Sequence, residues 1–183
     1  TNSIIRGPER VKPSLHWNFK NGLVDSIAGV KCYLKNGAVL EGGELIFQNG
    51  GYAVTERLPL EVSEKTLSAW VRLKNLNQRS GGVITIQNSN GGIFDSIVFA
   101  EKEPRKWMSG SNGFSRTKVF TSAPIENEAD RKFVHLAITY SSNGIITGYR
   151  NGELYGQGYK TNTTKFMKAE SVISFGVRHL PPS

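Results

Sequence analysis

Hydrophobic and polar residues alternate with a period of two along much of this chain. From Thr66 to Leu73 (TLSAWVRL), Leu67, Ala69, Val71 and Leu73 share one parity and Thr66, Ser68, Trp70 and Arg72 the other, which predicts a half-buried strand. The run Phe133 to Tyr140 repeats the pattern, with Val134, Leu136, Ile138 and Tyr140 on one side. Shorter runs at Val83 to Asn88, Ile93 to Ala100, Ile145 to Arg150 and Val172 to Val177 are rich in Ile, Val, Phe and Thr and bounded by turn residues. Seven Asn-Gly dipeptides punctuate the chain, and both residues tolerate the positive φ that tight hairpins demand. Asn143-Gly144 and Asn151-Gly152 predict a three-stranded meander from Phe133 through Leu154. Only Ile125 to Lys132 carries helical propensity, about two turns of it. The class is all-β, a sandwich or a barrel, and Thr1 to Pro13, without alternation, reads as a linker from a preceding domain.

Composition narrows this reading. A length of 183 residues suits one domain, and no run approaches the roughly 18 apolar residues of a membrane span. The single cysteine, Cys32, makes no internal disulfide and reads as a small buried hydrophobe. The net charge of +8 would suit a polyanion if it clustered, but Lys102, Arg105 and Lys106, and then Lys160, Lys165 and Lys168, are interrupted groups, so no specific nucleic-acid partner is implied.

In order along the chain stand Leu15-His16-Trp17-Asn18-Phe19, Gly43-Glu44-Leu45-Ile46-Phe47, Gly51-Tyr52-Ala53-Val54, Thr66-Leu67-Ser68-Ala69-Trp70-Val71, Val134 to Tyr140 and Gly148 to Leu154. Together they resemble the laminin-G-like branch of the concanavalin A-like lectin/glucanase superfamily, over roughly residues 14 to 178, with residues 179 to 183 as a tail. The resemblance implies a jelly-roll sandwich of two antiparallel sheets. Gln78 to Val83, Phe94 to Phe99 and Arg105 to Ser111 look like a narrower subgroup found in large planctomycete proteins beside cytochrome-c-like domains. That implies an extracellular or periplasmic setting and a non-catalytic module holding a glycan or protein partner, or bracing neighbouring domains of the same chain. Family members return with a further strand after the one ending near Val177, so the last strand is expected to be missing, with Leu15 to Phe19 beside an unfilled edge.

Hydrolases of the superfamily use paired carboxylates; Glu101 and Glu103 share parity, but Pro104 follows at once and they read as a solvated strand end. His16, His135 and His179 come without a nucleophile elbow, so no triad is expected and the chain reads as no enzyme, a glycoside hydrolase relative being the third alternative. No cofactor is implied; some laminin-G-like domains hold calcium, for which Asp25, Asp95 and Asp130 are candidates without a loop signature. Parity assigns Trp70, Arg72, Thr85, Gln87, Asp95, Arg105, Trp107 and His135 to the outer face of one sheet. Aromatic faces beside Arg, Asp and Gln are what sugar recognition requires. The expected ligand-binding residues are Trp107, Arg105, Asp95, Gln87, His135 and Arg72, with Trp107 foremost and Trp70 packed under a loop or in the core.

Overall fold

A computed structural model describes residues 11–181. Its strands are β1 (Cys32–Lys35), β2 (Val39–Glu41), β3 (Glu44–Ile46), β4 (Tyr52–Thr55), β5 (Lys65–Val71), β6 (Gly81–Asn88), β7 (Phe94–Phe99), β8 (Trp107–Ser111), β9 (Val134–Tyr140), β10 (Ile145–Arg150), β11 (Glu153–Leu154), β12 (Tyr159–Lys160) and β13 (Ser171–Phe175). Pairing is antiparallel throughout: a six-stranded sheet in the order β1-β4-β13-β6-β7-β8, a five-stranded sheet in the order β11-β10-β9-β5 with β12 also on β10, and the small hairpin β2-β3. All six strands read from alternation are present, and the meander runs as β9, β10 and β11. At its second turn Asn151 and Gly152 both take positive φ, as a two-residue hairpin with the twist of its strands requires.

The core lies between the sheets. Leu67, Val134, Leu136, Ile138 and Ile146 point in from the five-stranded sheet to meet Ile84, Ile86, Ile97, Phe99 and Trp107 of the six-stranded one. Removing each such side chain from water stabilises the fold by roughly 1.5–3 kcal/mol. Cys32 belongs to this core, and burial pushes its thiol up to about 11.

One local expectation changes. Residues 125–132 form turns rather than a helix, because the buried Glu126 carboxylate accepts the backbone N–H groups of Asn127, Glu128 and Ala129 and fixes a tight cap. Leu15, Trp17 and Phe19 pack against the core: Trp17 and Phe19 lie edge-on against Phe175, and the Trp17 indole donates to the carbonyl of Val30. The predicted linker falls largely outside the described residues.

Beyond β13 the chain turns across the outward side of the six-stranded sheet. Thr85 donates to the carbonyls of Val177 and Arg178, Gln87 accepts the N–H of Leu180 and donates to its carbonyl, and the His179 ring stacks on Phe94. A Cβ at Gly82 would lie 2.3 Å from the Val177 carbonyl, so the absence of a side chain there lets the segment lie flat.

Candidate functional site

The outward side of the five-stranded sheet is uncovered around Trp70. Alternation in β5 turns Leu67 and Ala69 inward and Thr66, Ser68 and Trp70 outward; register then places Trp70 opposite His135, Ser68 opposite Ala137, and Thr66 opposite Thr139. On the next strand Tyr149 faces Ala137 and Thr147 faces Thr139. The result is an aromatic row of Trp70 and His135, with Tyr149 set off across a floor of Ser68, Ala137, Thr139 and Thr147. Trp70 is 68% exposed, its ring 5.2 Å from that of His135. His135 is oriented by Ser68, whose hydroxyl lies 2.7 Å from Nε2, while Asn151 holds the His135 backbone N–H. At the end of β5, Arg72 lies 3.4 Å from Glu44 and over the Phe133 ring at 5.0 Å. Both partners of that ion pair are half exposed, so it contributes under about 1 kcal/mol and leaves the guanidinium available.

The structure divides the residues expected to share one face. His135 and Arg72 lie together here, and Trp70 joins them instead of being packed away. Trp107 is 2% exposed: in register with Phe99 on the inward side, it packs on that ring and donates its indole N–H to Glu126 at 2.6 Å. It cannot stack on a ligand there. Gln87 and Thr85 do turn outward, but on the other sheet, beneath residues 177–180. Asp95 points inward with Ile97 and Phe99. Arg105, with φ of 57°, takes a left-handed corner and exchanges backbone and guanidinium hydrogen bonds with the Glu126 main chain. Alternation failed for Asp95 and Trp107 because β7 and β8 are buried on both sides, and a strand covered on both sides carries no inward or outward signal.

A family model described as the concanavalin A-like lectin/glucanases superfamily, laminin G type, matches residues 47–179. The chain belongs to the concanavalin A-like lectin/glucanases superfamily. No curated protein matches it by sequence. Among solved structures it is similar to domain 4 of AbnA, an extracellular arabinanase from Geobacillus stearothermophilus in complex with arabinotriose, with 22% identity, TM-score 0.58, and coverage of 92% of this chain and 85% of that one. It is also similar to the receptor binding domain of botulinum neurotoxin type G, with 14% identity, TM-score 0.50, and coverage of 88% of this chain and 41% of the other. The chain thus spans less than half of that neurotoxin domain. At these identities the likeness establishes the sandwich.

In superfamily hydrolases the chemistry is carried by carboxylates, and here the buried carboxylates are engaged by the chain itself. Glu101 is not a solvated strand end: its side chain is 4% exposed and paired with Arg178, while Glu103 lies half exposed, 3.9 Å from Lys106. Burial opposes ionisation of Glu126, but hydrogen bonds from Arg150, Trp107 and the backbone of Glu128 outweigh it and bring its pKa down to about 2. Burial likewise works against the charge on Asp25, yet the N–H groups of His16, Ala28 and Ile27 hold its carboxyl below the usual range. Those bonds occupy Asp25, and among the described residues no cluster of three or more His, Cys, Asp or Glu is arranged around a common point.

A cleft of about 230 Å³ opens at one end of the sandwich, between the sheets. Its floor includes Lys65, Asp95, Arg116 and Tyr140, and its rim Ser63, Glu64, Ser141, Ser142, Asn162, Thr163 and Thr164. Arg116 Nε bonds Asp95 Oδ1 at 2.8 Å. Lys65 Nζ lies 2.8 Å from Oδ2, so the one carboxylate bridges the two cations. Burial pulls the Lys65 pKa below that of an ordinary lysine; Asp95 opposes this and Arg116 adds to it.

Proposed function

We propose that this chain is a non-catalytic recognition module that holds a glycan on the outer face of the five-stranded sheet. The carrying observation is the exposed Trp70, oriented against His135 and bordered by hydroxyls. An indole presents an apolar surface to the C–H face of a sugar ring, while Ser68, Thr66, Thr139 and Thr147 offer donors and acceptors to its hydroxyls. His135 and Arg72 make the directional contacts at the Trp70 end. Trp107, Arg105 and Gln87 have structural roles in this reading, and Asp95 lies outside the platform.

Support comes also from the arabinanase domain of the same fold, whose structure holds arabinotriose. That domain belongs to an extracellular enzyme and is the fourth in its chain, which favours a similar setting outside the cell and within a larger protein. The likeness of residues 78–111 to modules of large planctomycete proteins belongs to the same proposal. The non-catalytic part rests on Glu101, which is buried against Arg178 instead of being set out in a groove beside a second carboxylate, Glu103 being half exposed and near Lys106.

A glycan array probed with and without calcium tests the reading. Wild-type protein is expected to retain a defined class of oligosaccharide, and Trp70→Ala to lose about tenfold or more of that affinity, as when an aromatic anchor is truncated. An empty array, or retention equal in the variant, would sink it.

A further inference from the structure

In β5 the inward positions are Lys65, Leu67, Ala69 and Val71, and in β7 they are Asp95, Ile97 and Phe99, so a lysine and an aspartate stand where the rest of each strand supplies core. They meet at the floor of the cleft between the sheets, joined there by Arg116, and the three side chains are only 5%, 1% and 8% exposed. A buried ion pair is as a rule no more stabilising than well-packed apolar residues of the same volume, so packing alone gives no reason for this group. Its charges balance: Lys65 and Arg116 face Asp95 on the floor and Glu64 at the rim. An ion of either sign would therefore enter unmatched, which is costly out of water, whereas a neutral ligand would not. Hydrogen-bonding capacity, however, is left over. Asp95 Oδ2, buried, has no partner among the described residues besides Lys65 Nζ. Lys65 carries three N–H groups and meets two acceptors, that oxygen and the Ser63 carbonyl at 3.3 Å. Arg116 is already fixed by Asp95 Oδ1, the Phe94 carbonyl, Asn112 and Ser115, so the carboxylate is held in place.

We propose that this cleft is a second binding site, which takes one neutral sugar ring, the end residue of a glycan, by two adjacent hydroxyls. One hydroxyl donates to Asp95 Oδ2 and its neighbour accepts from Lys65 Nζ, a pairing that a vicinal diol supplies and a simple ion does not. Ile145, 41% exposed, gives the C–H groups of the ring an apolar wall, and Asn162, Thr163 and Thr164 stand at the mouth for the remaining hydroxyls. With a volume of about 230 Å³ the cleft lies below the range of drug-sized pockets and suits a single small ring. The choice of a sugar among neutral diols rests on the reading of the chain as a glycan-recognition module; the preference for a neutral ligand that both donates and accepts rests on the cleft alone. Five residues of β5 separate Lys65 from Trp70, about 17 Å at the rise of a strand, and the two point to opposite sides of the sheet, so the sites are separable.

The test is amide-shift titration of the whole chain by NMR with arabinose, xylose, glucose and galactose, with glucuronate and glucosamine as charged sugars, and with glycerol as a diol without a ring. Expected are saturable shifts of residues 63–65, 141–146 and 162–164 with at least one neutral sugar, insensitive to salt, at least about tenfold weaker with the charged sugars and with glycerol, and unchanged in Trp70→Ala. Lys65→Met, which removes the donor, should lose the response; if that variant does not fold, Thr163→Trp, at the exposed mouth, should block it. No saturable shift with any of the sugars would overturn the site. Tighter binding of glucuronate or glucosamine would overturn its neutral character, and glycerol binding as tightly as the best sugar would overturn its assignment to a ring. A glycan array on which Trp70→Ala retains as much as the wild type would sink the platform and leave this titration untouched, and a blank titration would sink the cleft and leave the platform, so the two failures are distinguishable.

Discussion

Trp107 and Trp70 both sit on strands of the same sandwich, and their surroundings are opposite. Around Trp107 the fold supplies a ring to pack on, Phe99, a carboxylate for the indole N–H, Glu126, and cover from the facing sheet. Around Trp70 it supplies one tilted neighbour, His135, and no cover. The same contrast separates the outward faces of the two sheets. Thr85 and Gln87 turn outward and are closed over by residues 177–180, whereas Ser68 and Thr66 turn outward and stay open. Outward parity therefore does not amount to accessibility. A side chain is free for a ligand only where no later segment of the chain returns to bond it.

The largest effect should come from the covered tryptophan. Trp107→Ala removes a fully buried indole and leaves Glu126 without one of its donors, so a loss of about 3–5 kcal/mol is expected in denaturant unfolding. A loss below about 1 kcal/mol would show that the two tryptophans are not the opposites their exposures make them.

Acid should expose the carboxylate behind Trp107. The folded-state pKa of Glu126 is about 2, against an ordinary value of 4.5. Because the folded value is depressed, the ionised group stabilises the fold fully above about pH 4.5, and that contribution is lost as pH falls toward 2. The difference corresponds to a stabilisation on the order of 3 kcal/mol at neutral pH. Unfolding free energies measured across that window should fall in the wild type, and Glu126→Gln should show a flatter acid limb with lower stability at pH 7. Parallel limbs in the two proteins would remove Glu126 from the account.

A smaller effect should separate the two outward faces. In Gly82→Ala the new methyl would stand 2.3 Å from the Val177 backbone, which cannot give way as a flexible side chain would. The segment 177–180 must lift, at a cost of about 1–3 kcal/mol typical of overpacking. Hydrogen exchange at the Leu180 amide, bonded to Gln87 in the wild type, should quicken. Unchanged protection there would mean that the segment is not held by its fit to Gly82.

How much of this was legible in the sequence follows from the range of the interactions. Strands with one wet side declared themselves, since Thr66 to Val71 and Val134 to Tyr140 alternate cleanly, and Asn151-Gly152 marked its own turn. Parity also turned His135 away from the core, as found. What parity lacked was knowledge of remote partners. Trp107 is buried by a carboxylate 19 residues away, Gln87 by a backbone 93 residues away, and Asp95 meets Arg116 at a separation of 21. The helical propensity of residues 125–132 lost to the tertiary demands on Glu126, which binds Arg150 from another strand. Trp70 misled for the converse reason: a tryptophan is expected to find cover, and nothing in the local pattern says that none arrives.

The smallest expected effect on stability is at Trp70 itself. Truncating an exposed side chain that makes no buried hydrogen bond usually shifts stability by no more than about 0.5 kcal/mol, and Trp70 has only its contact with His135 to lose. Trp70→Ala should therefore unfold at a denaturant midpoint near that of the wild type, with an unchanged slope, since the surface exposed on unfolding barely alters. A midpoint shift of the size expected for Trp107→Ala would show that the ring is covered in solution, and the platform would then have no open aromatic surface. Near-neutrality carries the opposite meaning. A large apolar ring that contributes almost nothing to folding remains exposed at a cost in solubility, and a loss of ligand retention in the same variant would then report on recognition and not on a damaged fold.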